Sequence, residues 1–61
     1  MIDVANIIDL IEAFAFISIR QAHTERLLYE GIPQKDSEWS PYGKLKVKMI
    51  KNRNGVYYIY V

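Results

Sequence analysis

Residues 44–61, Lys-Leu-Lys-Val-Lys-Met-Ile-Lys-Asn-Arg-Asn-Gly-Val-Tyr-Tyr-Ile-Tyr-Val, are two strand-like runs separated by Asn-Arg-Asn-Gly. Asn-Gly between runs of β-branched and aromatic residues is a strong short-range hairpin signal. This hairpin constrains the rest of the chain, because two strands alone are marginal in water and need further strands or a covering layer. A chain of 61 residues makes one domain at most, and at this size folding buries only about 60% of the unfolded surface. The sequence has no cysteine and one histidine, His23. Neither a disulfide nor a Cys/His metal site can therefore reinforce it, which leaves association with a second subunit.

Residues 4–30 contain neither glycine nor proline, and Gly31 and Pro33 follow immediately. Helices end this way. With Asp3 as a candidate N-cap, the pattern predicts one long helix over about residues 3–30. The alternative is a strand within residues 13–19, where Phe14, Phe16, Ile17 and Ile19 favour β structure. Wound as a helix, the apolar positions from Val4 to Ala22 sweep roughly 200° of arc, whereas packing on one small sheet needs a stripe of about 100°. The surplus points to a homodimer or higher oligomer, with Val4, Ile7, Ile8, Ile11, Phe14, Ile17 and Val61 as the expected interface. A membrane-surface helix fits poorly, because the polar face carries Asp9 and Glu12 rather than lysines.

Residues 31–43 have loop chemistry, with two prolines, two glycines and short polar residues. Ile32, Trp39 and Tyr42 are too apolar for a free linker and are expected to pin it over the core. Trp39 reads as a lid on that core rather than as a ligand-stacking group.

Two turns can close the hairpin. A two-residue type I′ turn at Asn54-Gly55 pairs Lys51 with Tyr58 and Met49 with Tyr60. A bulged turn pairs Lys51 with Tyr57 and Met49 with Ile59. Only the bulged turn gathers Leu45, Val47, Met49, Ile59 and Val61 on one face, so parity favours it. If β structure runs to Val61, the last strand keeps an open edge that invites pairing with another chain.

The expected fold is therefore α+β: a helix over about 3–30, a loop over 31–43 and a hairpin over 44–61, forming one domain. Homodimerisation would complete a four-stranded antiparallel sheet covered by two helices.

Charge is divided along the chain. Residues 1–30 carry five acidic and two basic side chains, a net of −3; residues 31–61 carry six basic and two acidic, a net of +4. Such asymmetry points to nucleic acid or another acidic partner. Lys44, Lys46, Lys48, Tyr58 and Tyr60, with Arg53 at the turn, form the candidate nucleic-acid-binding face for DNA or RNA. Lysines release counterions from phosphates and tyrosines stack on bases. The other reading is a protein-interaction module that uses the apolar helix and the strand edge. Catalysis finds no support: no nucleophile elbow or phosphate loop is present. Asp9/Glu12, and His23 beside Glu12 and Glu30, read as the solvent side of the helix. No cofactor or metal is expected. Asp3, Asp9 and Glu12 break the N-terminal apolar run, so neither a secretory signal nor a membrane span is expected, and the cytoplasm is the expected location.

Overall fold

The computed structural model describes residues 2–61. Its elements are a helix α1 (Val4–Leu10), strands β1 (Phe16–Arg20) and β2 (Leu27–Gly31), a 3-10 turn at Ser40–Tyr42, and strands β3 (Met49–Arg53) and β4 (Val56–Tyr60). The strands form one mixed sheet in the order β2-β1-β4-β3. Two antiparallel hairpins are joined by a parallel pairing of β1 with β4, in which Ile17 faces Tyr57 and Ile19 faces Ile59.

This corrects the expected fold. The 3–30 helix is a seven-residue helix followed by two strands. The four-stranded sheet is built inside one chain, so no second subunit is needed to complete it. A strand, the alternative for residues 13–19, is present as β1. Glycine and proline do not mark the breaks in residues 4–30. After Leu10 the chain turns extended at Ile11 (φ −81°, ψ 163°), and Phe14 (φ 61°) and Glu25 (φ 56°) adopt left-handed backbone conformations. Such conformations cost L-residues about 1–2 kcal/mol. The Phe14 N–H is held by Gln34 Oε1 at 3.2 Å, and the Glu25 N–H by the Gln21 carbonyl at 2.8 Å.

The helix is short but well anchored. Asp3 is its N-cap residue, and the Asp3 N–H donates to Asn6 Oδ1 at 3.1 Å. Lys46 Nζ pairs with the Asp3 carboxylate. Residues 43–47 run beside the helix start, with Val4 N–H donating to Leu45 O at 3.0 Å and Val47 N–H to Ile2 O at 2.9 Å. Val4, Ile7 and Ile8, one face of the helix, enter a core with Ile17, Ile19, Tyr29, Val47 and Ile59. Ile17 and Ile19 lie two residues apart on β1 and so share one face, as a half-covered sheet requires. Trp39 and Tyr42 pack against the same core, and Trp39 Nε1 donates to Pro33 O at 2.9 Å. Of the three apolar residues expected to pin the loop, Trp39 and Tyr42 do so.

The hairpin register also differs from the favoured one. Met49 pairs with Tyr60 and Lys51 with Tyr58, closed by Asn54 (φ 53°) and Gly55 (φ 81°) as a type I′ turn. The parity requirement is met elsewhere. Lys48 N–H donates to Tyr60 O at 2.7 Å, although Tyr60 already has Met49 as its partner. Two residues opposite one make a bulge, and this bulge turns Val47 back into the core. The edge of β4 is not open either, because β1 pairs along it and Val61 N–H donates to Arg20 O at 2.9 Å.

Gly55 tests the turn. A Cβ there would meet nothing within 4 Å, yet φ is 81°. Gly55→Ala should therefore lose about 1 kcal/mol or more through backbone strain alone, read as a lower midpoint in urea denaturation. Unchanged stability would mean that the turn is not type I′.

Candidate nucleic-acid interface

The helix and the 32–48 loop cover one face of the sheet, so the residues of opposite parity form the other. The registers arrange them in rows. Glu30, Ser18, Tyr58 and Lys51 lie across the four strands; Arg20, Tyr60 and Met49 form the next row; Phe16, Val56 and Arg53 form a third. A bulge between Ile19 and Arg20 ends regular alternation in β2 near Leu27 and Leu28.

Three of the six residues expected to bind nucleic acid share this face: Arg53, Tyr58 and Tyr60. Arg53 is exposed on the edge strand and Tyr58 is half-buried, while Tyr60 is only 9% exposed. Lys44 and Lys46 lie before β3, and Lys46 is engaged by Asp3. Lys48 is exposed at the bulge. The lysines of residues 44–48 are thus not lined up beside the tyrosines. Residues 44–47 precede β3, and the bulge at Lys48 breaks the alternation that would place these lysines on the tyrosine face.

The sequence reading missed the contribution of β1. Phe16 (39% exposed) and Arg20 come from the segment read as helix. Phe16 sits one row from Tyr58 on the neighbouring central strand. Alternation of Phe16, Ser18 and Arg20 with Ile17 and Ile19 is the period-two signal that could have found them. Lys51, which a bulged turn would pair with Tyr57, joins the face through the type I′ register. Cations lie near both tyrosines: Arg20 Cζ is 5.6 Å from the Tyr58 ring centre and Lys51 Nζ is 5.9 Å from that of Tyr60, within cation–π range.

The residues expected at an oligomer interface are placed differently. Val4, Ile7, Ile8 and Ile17 are buried inside the single chain, and Ile11 and Val61 pack against that core. Phe14 is 60% exposed. The acidic groupings depended on the long helix. Glu12 lies beyond the helix end, and its Oε2 accepts from the Tyr57 hydroxyl at 2.7 Å. His23 is exposed in the β1–β2 turn. Among the described residues there is no pocket and no group of side chains suited to a metal ion. No helix is long and apolar enough to cross a membrane.

Two tyrosines on the covered face have perturbed ionisation. Burial, then the hydrogen bond to Asp36 Oδ2 at 2.8 Å, pushes the Tyr29 hydroxyl up to about 12. The hydrogen bond to Glu12 raises Tyr57, and the same bond lowers Glu12. The Tyr29 phenol is favoured by folding. Its contribution is complete below the ordinary value of 10.0 and is lost as pH rises towards about 12. The Glu12 carboxylate contributes above its ordinary 4.5, and that contribution is lost as pH falls through its lowered value. Tyrosinate absorbance should therefore show one tyrosine titrating last, together with alkaline unfolding, and Tyr29→Phe should abolish that step. Persistence of the step in the variant would assign it elsewhere.

Compared with known proteins, the chain matches no family model, and no curated protein or solved structure shows significant similarity to it.

Proposed function

We propose that the chain is a small binding protein, without catalytic activity, that takes single-stranded nucleic acid on the open face of its sheet. The observation that supports this most is the placement of two part-exposed rings, Phe16 and Tyr58, on the adjacent central strands, with Arg20, Lys51 and Arg53 around them. Splayed bases stack on such rings, each worth about 1–3 kcal/mol, while cations track the phosphates. Glu30 is the one acidic side chain in these rows. The shape favours single strands over duplex. A broad four-stranded face does not enter a duplex groove, whereas unpaired bases can lie flat on it.

A second reading is an assembly module. It rests on β3, an edge strand whose five residues are all exposed, including Met49 at 45% and Ile50 at 40%. An open edge can pair with another chain. Lys51 and Arg53 on this strand weigh against pairing of two β3 edges, since like charges would be brought together. A single-chain mass by light scattering across the binding concentrations would set self-assembly aside.

Fluorescence anisotropy with labelled single-stranded DNA and RNA, and with duplex competitors, tests the main reading. Single strands should bind, with a log K against log salt slope of about −2 for three phosphate contacts. Tyr58→Ala should weaken binding roughly fivefold or more. Lys51→Glu should weaken it more than Lys46→Glu, because Lys46 is already paired with Asp3. No binding of single strands at low salt, or binding indifferent to salt, would defeat this reading.

A further inference from the structure

Arg20 is held unlike any other cation on the open face. It lies on the central strand β1 and shares a row with Tyr60. Its Nε donates to Ser18 Oγ at 3.0 Å, and Ser18 itself is 0% exposed. Its Cζ lies 5.6 Å from the centre of the Tyr58 ring. The aliphatic stem is thus fixed against the sheet, while the side chain stays 30% exposed. The nearest carboxylate is that of Glu30, with Oε2 3.9 Å from Nη2. That distance is too long for a hydrogen bond. Glu30 therefore balances the charge without occupying a guanidinium donor. Among the described residues the terminal nitrogens of Arg20 make no hydrogen bond.

We propose that Arg20 is a phosphate seat, and that Glu30 is its built-in competitor. The inference rests on the nucleic-acid reading above and specifies its chemistry: one phosphodiester of the bound strand accepts two parallel hydrogen bonds from the outer end of the guanidinium. Three features of the site support this. The planar fork matches phosphate geometry, as a lysine does not. The Ser18 bond fixes its orientation, so little rotamer freedom is lost on binding. Tyr58 lies beside it in the next row, where a base attached to the seated phosphate can stack. Lys51, opposite Tyr58 in the same row, supplies a second and more exposed charge. Glu30 opposes the incoming phosphate through like charge, and the opposition is local because exposed charges are screened within about 10 Å at moderate salt.

The test is a double-mutant cycle on the full chain, with a fluorescein-labelled oligothymidylate as the probe at low salt. Arg20→Ala should weaken binding roughly tenfold or more, as expected on losing a charged hydrogen-bond donor. Arg20→Lys keeps the charge and stem, and should still bind several-fold more weakly than wild type. Glu30→Gln should bind several-fold more tightly. In the Arg20→Ala background that gain should disappear, since no phosphate is then seated beside Glu30. Circular dichroism melts of each variant confirm folding; if Arg20→Ala does not fold, the uncharged Arg20→Gln takes its place in the cycle. Unchanged binding in the folded Arg20 variant would overturn the seat while leaving nucleic-acid binding intact. So would a Glu30→Gln gain of equal size with and without Arg20. A wild-type protein that binds no single strand would overturn the nucleic-acid reading, and the seat with it.

Discussion

The parallel pairing of Phe16–Arg20 with Val56–Tyr60 is the interaction on which the rest of the structure depends. Each hairpin alone is too small to persist in water. Joined through β1 and β4, they become a four-stranded sheet whose central residues Ile17, Ile19 and Ile59 are fully buried. Only then is there a continuous apolar face for Val4, Ile7 and Ile8 of the helix to cover. The same pairing absorbs the edge of β4 and so removes a reason for the chain to dimerise. It joins residues from opposite halves of the sequence, and such long-range pairing is intrinsically slow to form.

This dependence also explains what the sequence disclosed. Asp3 as helix cap, the existence of a C-terminal hairpin around Asn54-Gly55, and Trp39 and Tyr42 as pins on the core were all legible, because each follows from local chemistry, although the first arm starts at Met49 rather than Lys44. The long helix was not. Its interruptions fall at Phe14 and Glu25, residues that ordinarily avoid positive φ, and the segment has no glycine or proline to mark them. A distant side-chain acceptor, Gln34, holds the first bend, and a backbone acceptor in the same turn, Gln21, holds the second. The hairpin register was lost for a similar reason. Val47 and Ile59 do share the core, as the apolar pattern demands. A bulge at Lys48–Met49 achieves this, so the type I′ turn at Asn54-Gly55 is free to form with its native twist.

The candidate site shows the same division. Tyr58, Tyr60 and Arg53 were visible as a hairpin face, but Arg20 and Phe16 were hidden inside a supposed helix. The charge asymmetry between the halves therefore carries less meaning than composition suggests. Arg20, the cation of the open face held by a side-chain hydrogen bond, comes from the acidic half, and its neighbour Glu30 comes from the same hairpin. Lys46, from the basic half, is used to fasten the N-terminus of the helix. What matters is which charges the strand order brings onto one surface, and that order is set by a contact spanning most of the chain.

Backbone NMR tests this pairing most directly. Expected are strand-type Cα shifts over Phe16–Arg20, with cross-strand contacts in parallel register that place Ile19 beside Ile59 and Ile17 beside Tyr57. Side-chain contacts between Arg20 and Tyr58 should accompany them. Continuous helical shifts through residues 13–30, with no contact between that segment and β4, would contradict the fold and remove the surface built on it.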